Sequence, residues 1–112
     1  MDEQIARSIE VVNRLKRGTM EGRLLWEATG TYGKQYAAPL ESGATGHLAA
    51  TPAGDAVVLM ITNAQGVRSL HLDTTRVTDD TLRLALLQLF VTVRKELERQ
   101  RTSDALNAVR DL

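Results

Sequence analysis

The sequence feature that most constrains the fold is an apolar stretch, LRLALLQLFV, at residues 82–91. Just before it, Thr78 supplies a capping hydroxyl, and Asp79 and Asp80 supply carboxylates for the first turn of a helix. The stretch is apolar nearly all round, whereas a surface helix of a small domain is apolar on one face only. We therefore predict a long helix that packs on a sheet and presents a second apolar face.

This second apolar face needs a cover of its own, because an exposed patch on the order of several hundred Å² is an aggregation liability. We expect it to be buried in a homodimer or against another protein chain. After it the sequence becomes solvated, and the run Thr-Ser-Asp at residues 102–104 offers a cap for a short terminal helix. The predicted interface residues are Leu84, Leu87 and Val91.

An N-terminal helix is predicted at residues 4–17. Gly18 follows a Leu-Lys-Arg turn and suits a C-terminal cap, because glycine adopts the left-handed conformation and cations favour the negative end of a helix. The apolar residues recur at intervals of four and three, which lines one face of a helix. They are Ile5, Ile9, Val12 and Leu15.

Between the two helices the pattern becomes that of strands. Residues 23–29 alternate as a strand, with a short helical turn as the alternative, and residues 35–40 form a strand that Pro39 places at an edge or a bulge. The clearest strand is AVVLMIT at residues 56–62, whose two apolar faces are typical of a central strand covered twice. The other predicted strands are residues 47–50 and 67–73.

Together these elements predict a single α+β domain spanning residues 1–112. It has an N-terminal helix, an antiparallel meander of about three to five strands, and a long C-terminal helix packed on the sheet. With 43% hydrophobic and 25% charged residues, the chain has the composition of a globular protein.

Charge and cysteine content exclude several classes of function. Fourteen basic and fourteen acidic residues give a net charge of +0, so no whole-molecule field attracts nucleic acid or an anionic membrane. The absence of cysteine excludes disulfides, thiolate metal sites and cysteine nucleophiles. No run approaches the roughly 20 apolar residues of a membrane span, and the start MDEQIARS lacks the apolar core of a signal peptide. A cytoplasmic location without a membrane partner is expected.

Ingredients for catalysis are sparse. His47 and His71 lie in strands, and neither accompanies a nucleophile elbow or a set of metal ligands. Asp79 and Asp80 are interpreted as helix-capping carboxylates. The glycine spacings match neither a phosphate-binding loop nor a dinucleotide fingerprint. We therefore predict no enzymatic activity, no catalytic residues, no metal site and no cofactor.

Two candidate binding surfaces are visible in the sequence. The first is a basic cluster near the end of the N-terminal helix, which two copies in a dimer could turn towards phosphates; its possible nucleic-acid contacts are Arg14, Lys16 and Arg17. The second lies in residues 22–43, which hold the one tryptophan and both tyrosines of the chain. Trp26 is interpreted as a core residue, with the tyrosines covering an edge of the sheet. The alternative is a partly exposed partner-binding surface formed by Trp26, Tyr32, Lys34 and Tyr36.

The motifs GRLLWEATG, YAAPLESG, ITNAQGVRSL and LRLALLQLFVTVRK, taken in order, resemble a group of small bacterial proteins of uncharacterised function. This resemblance extends over nearly the whole chain and implies the fold. The second half alone is similar to YbaB-type nucleoid-associated proteins, in which a hairpin precedes a long helix and the chain forms a DNA-binding dimer. The short first helix, the Trp-containing insertion and the neutral total charge depart from that pattern.

The function predicted from the sequence is therefore that of a non-enzymatic accessory or regulatory protein. It acts through protein–protein contacts, as a homodimer or with another chain. The alternative is a YbaB-like DNA-binding dimer.

Overall fold

The computed structural model describes residues 2–30, 34–51, 53 and 55–112. The predicted α+β architecture, with an N-terminal helix, an antiparallel meander and a long C-terminal helix, is confirmed. A short 3-10 turn, Glu41–Gly43, joins the second and third strands. The helices and strands are α1 (Glu3–Met20), β1 (Glu27–Ala28), β2 (Gln35–Pro39), β3 (Thr45–Ala50), β4 (Val57–Thr62), β5 (Arg68–Asp73) and α2 (Asp80–Ala108).

Within the described residues, the strands form one five-stranded sheet whose order follows the chain, and every neighbouring pair is antiparallel. Residues paired across an antiparallel sheet point to the same face. One such row, Tyr36, Leu48 and Leu59, lies in the core together with Val12 of α1 and Leu86 of α2. Both helices therefore pack on the same face of the sheet.

The opposite face of the sheet is left open by the described elements. On β4, Val57 and Leu59 are buried against the helices, whereas Val58 and Met60 point the other way and are half-exposed. The prediction that this strand is covered on both faces is therefore wrong for the described chain. The apolar residues on both faces of β4 indicate a central strand. They do not indicate that α1 and α2 pack on the same face of the sheet.

The first two strands are shorter than the sequence pattern indicates. The strand predicted at residues 23–29 is reduced to β1, which pairs only with Tyr36 and Ala37. Pro39 of β2 lies beyond the end of β1, so no neighbour on that side requires the N–H that proline lacks. The prediction of an edge or bulged strand is wrong, because β2 pairs with both β1 and β3 in a regular register, and only the position of Pro39 lacks a described β1 partner.

The end of α1 differs from the prediction. Gly18 lies inside the helix and is buried, and a Cβ there would stand 3.1 Å from Leu24 Cγ. Gly22 makes the terminal turn with a φ of +74°, which favours glycine. The Arg23 N–H then donates to the Gly18 carbonyl at 2.8 Å, and the Gly22 N–H donates to the Thr19 carbonyl at 3.2 Å. This pair of hydrogen bonds closes the helix in a Schellman motif.

The start of α2 is capped by Asp79 rather than by Thr78. The Asp79 side chain accepts a hydrogen bond from the Leu82 N–H at 2.9 Å, which satisfies one of the free donors of the first turn. The helix then runs unbroken over Asp80–Ala108, so the predicted short terminal helix is a continuation of α2. No glycine or proline interrupts this span, and the helix therefore has no reason to end earlier.

Candidate interaction surfaces

The solvent-facing side of α2 carries the predicted interface residues. Leu84 is 56% exposed and Val91 is 38% exposed, although both belong to an apolar helix segment. Leu87, between them on the same side, is half-buried and packs against the edge of the core. The opposite side of the same segment, including Leu86 and Leu89, is fully buried. The structure thus leaves the second apolar face of this helix uncovered within the described chain.

The same side of the helix continues towards its C-terminal end. Spacings of three and four residues carry it onward from Val91, and we call the whole set the α2 stripe. From residue 101 onwards every residue of the helix is exposed, so this end of α2 projects beyond the sheet and α1. A helix of 29 residues is roughly 43 Å long, which exceeds both shorter dimensions of the molecule, 31 Å and 26 Å. The α2 stripe consists of Leu84, Leu87, Val91, Arg94, Glu98, Arg101, Ala105 and Val109.

The middle of the α2 stripe is charged and internally unpaired. Arg94 and Glu98 are one turn apart, yet neither forms an ion pair with any other described residue. The Arg94 guanidinium instead lies 5.9 Å from the centroid of the Phe90 ring. The stripe therefore has apolar residues at both ends and, between them, two cations, Arg94 and Arg101, and one carboxylate, Glu98, none of which forms an ion pair with another described residue.

Trp26 and Tyr36 lie in the core. Trp26 is 4% exposed, and its indole Nε1–H donates to the Thr19 hydroxyl at 2.9 Å. That hydroxyl donates in turn to the Leu15 carbonyl at 2.8 Å, so the tryptophan is fastened to the end of α1. Tyr36 is buried beside Phe90, with 5.9 Å between the ring centroids. The core interpretation of Trp26 is therefore confirmed.

The predicted aromatic surface is not assembled from the residues that the structure describes. Trp26 and Tyr36 face the interior, and Lys34 is half-exposed at the start of β2. Tyr32 lies outside the described residues. We therefore base no binding surface on these four side chains.

The two histidines share the open face of the sheet. The register aligns Ala37, His47, Met60 and His71 in one row across four strands, with Met60 between the two imidazoles. His47 Nε2 lies 3.5 Å from the Thr62 hydroxyl. Among the described residues, no group of three or more potential ligands is placed to hold a metal ion. The strand register is needed to show that His47 and His71 lie on the same face of the sheet, because the sequence does not specify how distant strands pair.

The basic cluster of α1 borders two neighbouring depressions. Arg14 and Arg17 face a groove between α1 and the turn that joins β2 to β3, and Arg23 joins them from the following loop. Lys16 lines a second, shallow depression together with Arg17 and Met20, so Arg17 borders both depressions. Neither depression is lined by all three predicted nucleic-acid contacts. The sequence did not show that the arginines border a groove, because the opposing wall comes from the end of β2, the turn that follows it, and β4.

We call the groove lined by Arg14, Arg17 and Arg23 the α1 groove. It is an open cleft of about 770 Å³. Three arginines and one carboxylate, Glu41, stand along it. Its apolar walls include Val11, Leu24, Leu40 and Ile61.

The perturbed acidic groups lie outside the α1 groove and have local causes. The Thr75 hydroxyl donates to Asp73 Oδ1 at 2.7 Å and the Thr75 N–H donates at 2.9 Å, which lowers the pKa of Asp73. A hydrogen bond from Arg99 lowers the pKa of Glu96 in the same way. Each pair is formed by residues two or three positions apart in the chain, as in ordinary turns and helix surfaces.

Comparison of the chain with known protein families, curated proteins and solved structures found no match. No helix in the described part of the chain combines the length and the apolar content needed to cross a membrane. The functional interpretation therefore depends on the α2 stripe, the open sheet face and the α1 groove.

Proposed function

We propose that this protein is a non-enzymatic accessory or regulatory protein that acts through protein–protein contacts, as a homodimer whose interface is the α2 stripe. The observation that supports the proposal is the exposure of Leu84 and Val91 on a helix whose other side is fully buried. Full burial of a leucine or valine side chain contributes about 1.5–3 kcal/mol. In a two-fold symmetric dimer each contribution occurs twice, because the same patch is used by both copies.

The charges of the α2 stripe favour an antiparallel arrangement of the two helices. If the helices cross near residue 96, Arg94 meets the partner subunit's Glu98, and the two-fold axis creates the same pair again. Leu87 then meets the partner subunit's Ala105, and Leu84 lies near the partner subunit's Val109. A parallel arrangement would instead place each charge against its own copy, which is repulsive. The antiparallel pairing thus brings the opposite charges of Arg94 and Glu98 together and places the apolar ends of the stripe against each other, while Arg101 lies opposite the partner subunit's Val91.

The first test removes the apolar contacts. We expect the wild-type protein to sediment as a dimer and the double variant Leu84→Glu, Val91→Glu to sediment as a monomer at the same concentration. In the dimer the two carboxylates at position 84 would be buried among apolar side chains without partners, which is strongly unfavourable, and those at position 91 would replace apolar interface surface by charge. Both replaced residues are exposed in the single chain, so the circular dichroism spectrum should keep its helical content.

The control for this test is Ser103→Glu. Ser103 is exposed on α2 but lies away from the stripe, so its replacement by glutamate adds a negative charge to the same helix without touching the interface. A wild-type protein that stays monomeric at high micromolar concentration would contradict the proposal. So would a double variant that dimerises as well as the control.

The second test examines the antiparallel register through its ion pair. We expect Arg94→Glu alone, or Glu98→Arg alone, to raise the dimer Kd about tenfold, because each substitution brings like charges together twice. Combining the two substitutions should restore the Kd to within about threefold of wild type, because opposite charges meet again. Analytical ultracentrifugation across a dilution series gives the three constants. Single variants that dimerise like wild type would exclude this register while leaving dimerisation itself intact.

A further inference from the structure

We infer that the α1 groove is a docking site for a short acidic, amphipathic segment of a partner protein. Its apolar side chains would enter the groove, and its carboxylates would meet the arginines along the rim. The inference concerns a surface separate from the α2 stripe, and it goes beyond the proposed homodimer by giving the chemistry of a second partner.

The shape of the groove depends on how α1 ends. Because Gly18 has no side chain, Leu24 lies against the helix and forms one wall. Leu40 directly precedes the turn at Glu41–Gly43 and lines the groove as well, as does Ile61 of β4. Leu24, Leu40 and Ile61 are each only partly buried and pack against the edge of the core. The groove thus offers leucine-sized apolar contacts that the described chain itself does not complete.

The rim of the groove is cationic. Arg14, Arg17 and Arg23 line it, against the single carboxylate of Glu41, although the chain as a whole has a net charge of +0. Arginine presents a planar fork of donors that matches a carboxylate in a bidentate geometry. Three guanidinium groups beside apolar walls are complementary to a segment that carries acidic and apolar residues close together.

The arginines are available to a ligand. Among the described residues, Arg17 has no ion-pair partner. Arg14 is paired with Glu10 at 2.7 Å and Arg23 with Glu21 at 2.6 Å, but all four of these side chains are about half or more exposed to solvent. Exposed pairs of this kind contribute little to stability and are screened by salt, so a ligand carboxylate can replace either partner glutamate.

The lining favours a protein segment over nucleic acid. Single-stranded nucleic acid binds on aromatic side chains that stack with bases, and no aromatic residue is among those described along the groove. Duplex DNA would engage the arginines through phosphates, but it would leave the apolar walls of Val11, Leu24 and Leu40 without contacts. A segment with leucine-sized side chains uses both parts of the groove.

The test is a selection from a phage-displayed library of random dodecapeptides on the wild-type protein. We expect enrichment of peptides in which aspartate or glutamate alternates with leucine, isoleucine or phenylalanine. One enriched peptide, fluorescently labelled, is then titrated with wild-type protein, Arg17→Glu and Leu40→Ala. The Kd should rise at least about tenfold for Arg17→Glu and several-fold for Leu40→Ala, and added salt should weaken wild-type binding.

Arg68→Glu is the matched control, because Arg68 is exposed on β5 and does not line the groove. Its Kd should equal that of wild type, and the thermal unfolding of all variants verifies that they are folded. The Leu84→Glu, Val91→Glu variant should bind the peptide normally, which separates this inference from the homodimer. The inference is overturned if no acidic amphipathic peptide is enriched or if Arg17→Glu binds the peptide as tightly as wild type. Duplex DNA that binds in an Arg17-dependent manner, without peptide enrichment, overturns it in favour of nucleic acid.

Discussion

Replacing Trp26 with alanine will lower the free energy of unfolding by about 3–5 kcal/mol, the usual cost of removing a large aromatic side chain from a core. Trp26 joins the end of α1 to the sheet. Its indole is hydrogen-bonded to Thr19, and its ring lies against Gly46 on β3, where an added Cβ would stand 3.5 Å from Trp26 Cη2. Urea unfolding followed by circular dichroism measures the effect, since the variant lacks the only tryptophan available for fluorescence.

Thr19→Val separates the hydrogen bond from the packing. Valine keeps the volume of threonine but leaves the buried indole N–H without its acceptor, so we expect a loss of about 1–3 kcal/mol. Leu25→Ala is the control, because it removes a neighbouring side chain that is 60% exposed. Gly22→Ala is unsuitable, because alanine at the positive φ of Gly22 would itself strain the backbone. Leu25→Ala should change the free energy by no more than about 0.5 kcal/mol. A Trp26→Ala variant as stable as Leu25→Ala would contradict the core position of the tryptophan.

Replacing Leu59 with alanine is expected to lower the free energy of unfolding by about 2–5 kcal/mol. Leu59 is fully buried at the centre of the sheet, between Leu48 on β3 and Leu72 on β5. Removal of its side chain leaves a cavity beneath α2, because the sheet and the helix are held apart by the surrounding core residues. The same urea titration measures this change.

Met60→Ala is the matched control on the next position of β4. Met60 points to the open face of the sheet and is half-exposed, so we expect a loss of less than about 1 kcal/mol. A similar loss for Met60→Ala and Leu59→Ala would show that the open face is covered in solution. If the Met60→Ala effect grew with protein concentration, the cover would be a second copy of the chain.

Several elements of the fold could be predicted from the sequence, because the patterns that indicate them involve residues close together in the chain. The spacing of Ile5, Ile9, Val12 and Leu15 predicted α1, and the apolar run at residues 82–91 predicted α2. The run at residues 56–62 predicted β4 to within one residue. The end of α1 was predicted less well. Gly18 fits a helix cap in the sequence, but Gly22 makes the terminal turn, and Leu24 packs against Gly18.

The candidate surfaces could be predicted only in part from the sequence. The apolar second face of α2 follows from periodicity, and the exposure of Leu84 and Val91 agrees with it. The aromatic segment was ambiguous, since a tryptophan between glycine-rich turns can face a core or a partner. Its burial depends on the hydroxyl of Thr19, which belongs to the end of α1.

The sequence by itself determined which segments are helical or extended and that α2 has more apolar surface than one sheet can cover, because helical and strand periods are properties of neighbouring residues. The tertiary structure alone decided that both helices pack on one face of the sheet, that His47 and His71 share the other, and that Arg14, Arg17 and Arg23 stand along one groove. These arrangements depend on strand register and on contacts between residues far apart in the chain. No local spacing specifies such contacts, since they are selected by the free energy of packing the whole core.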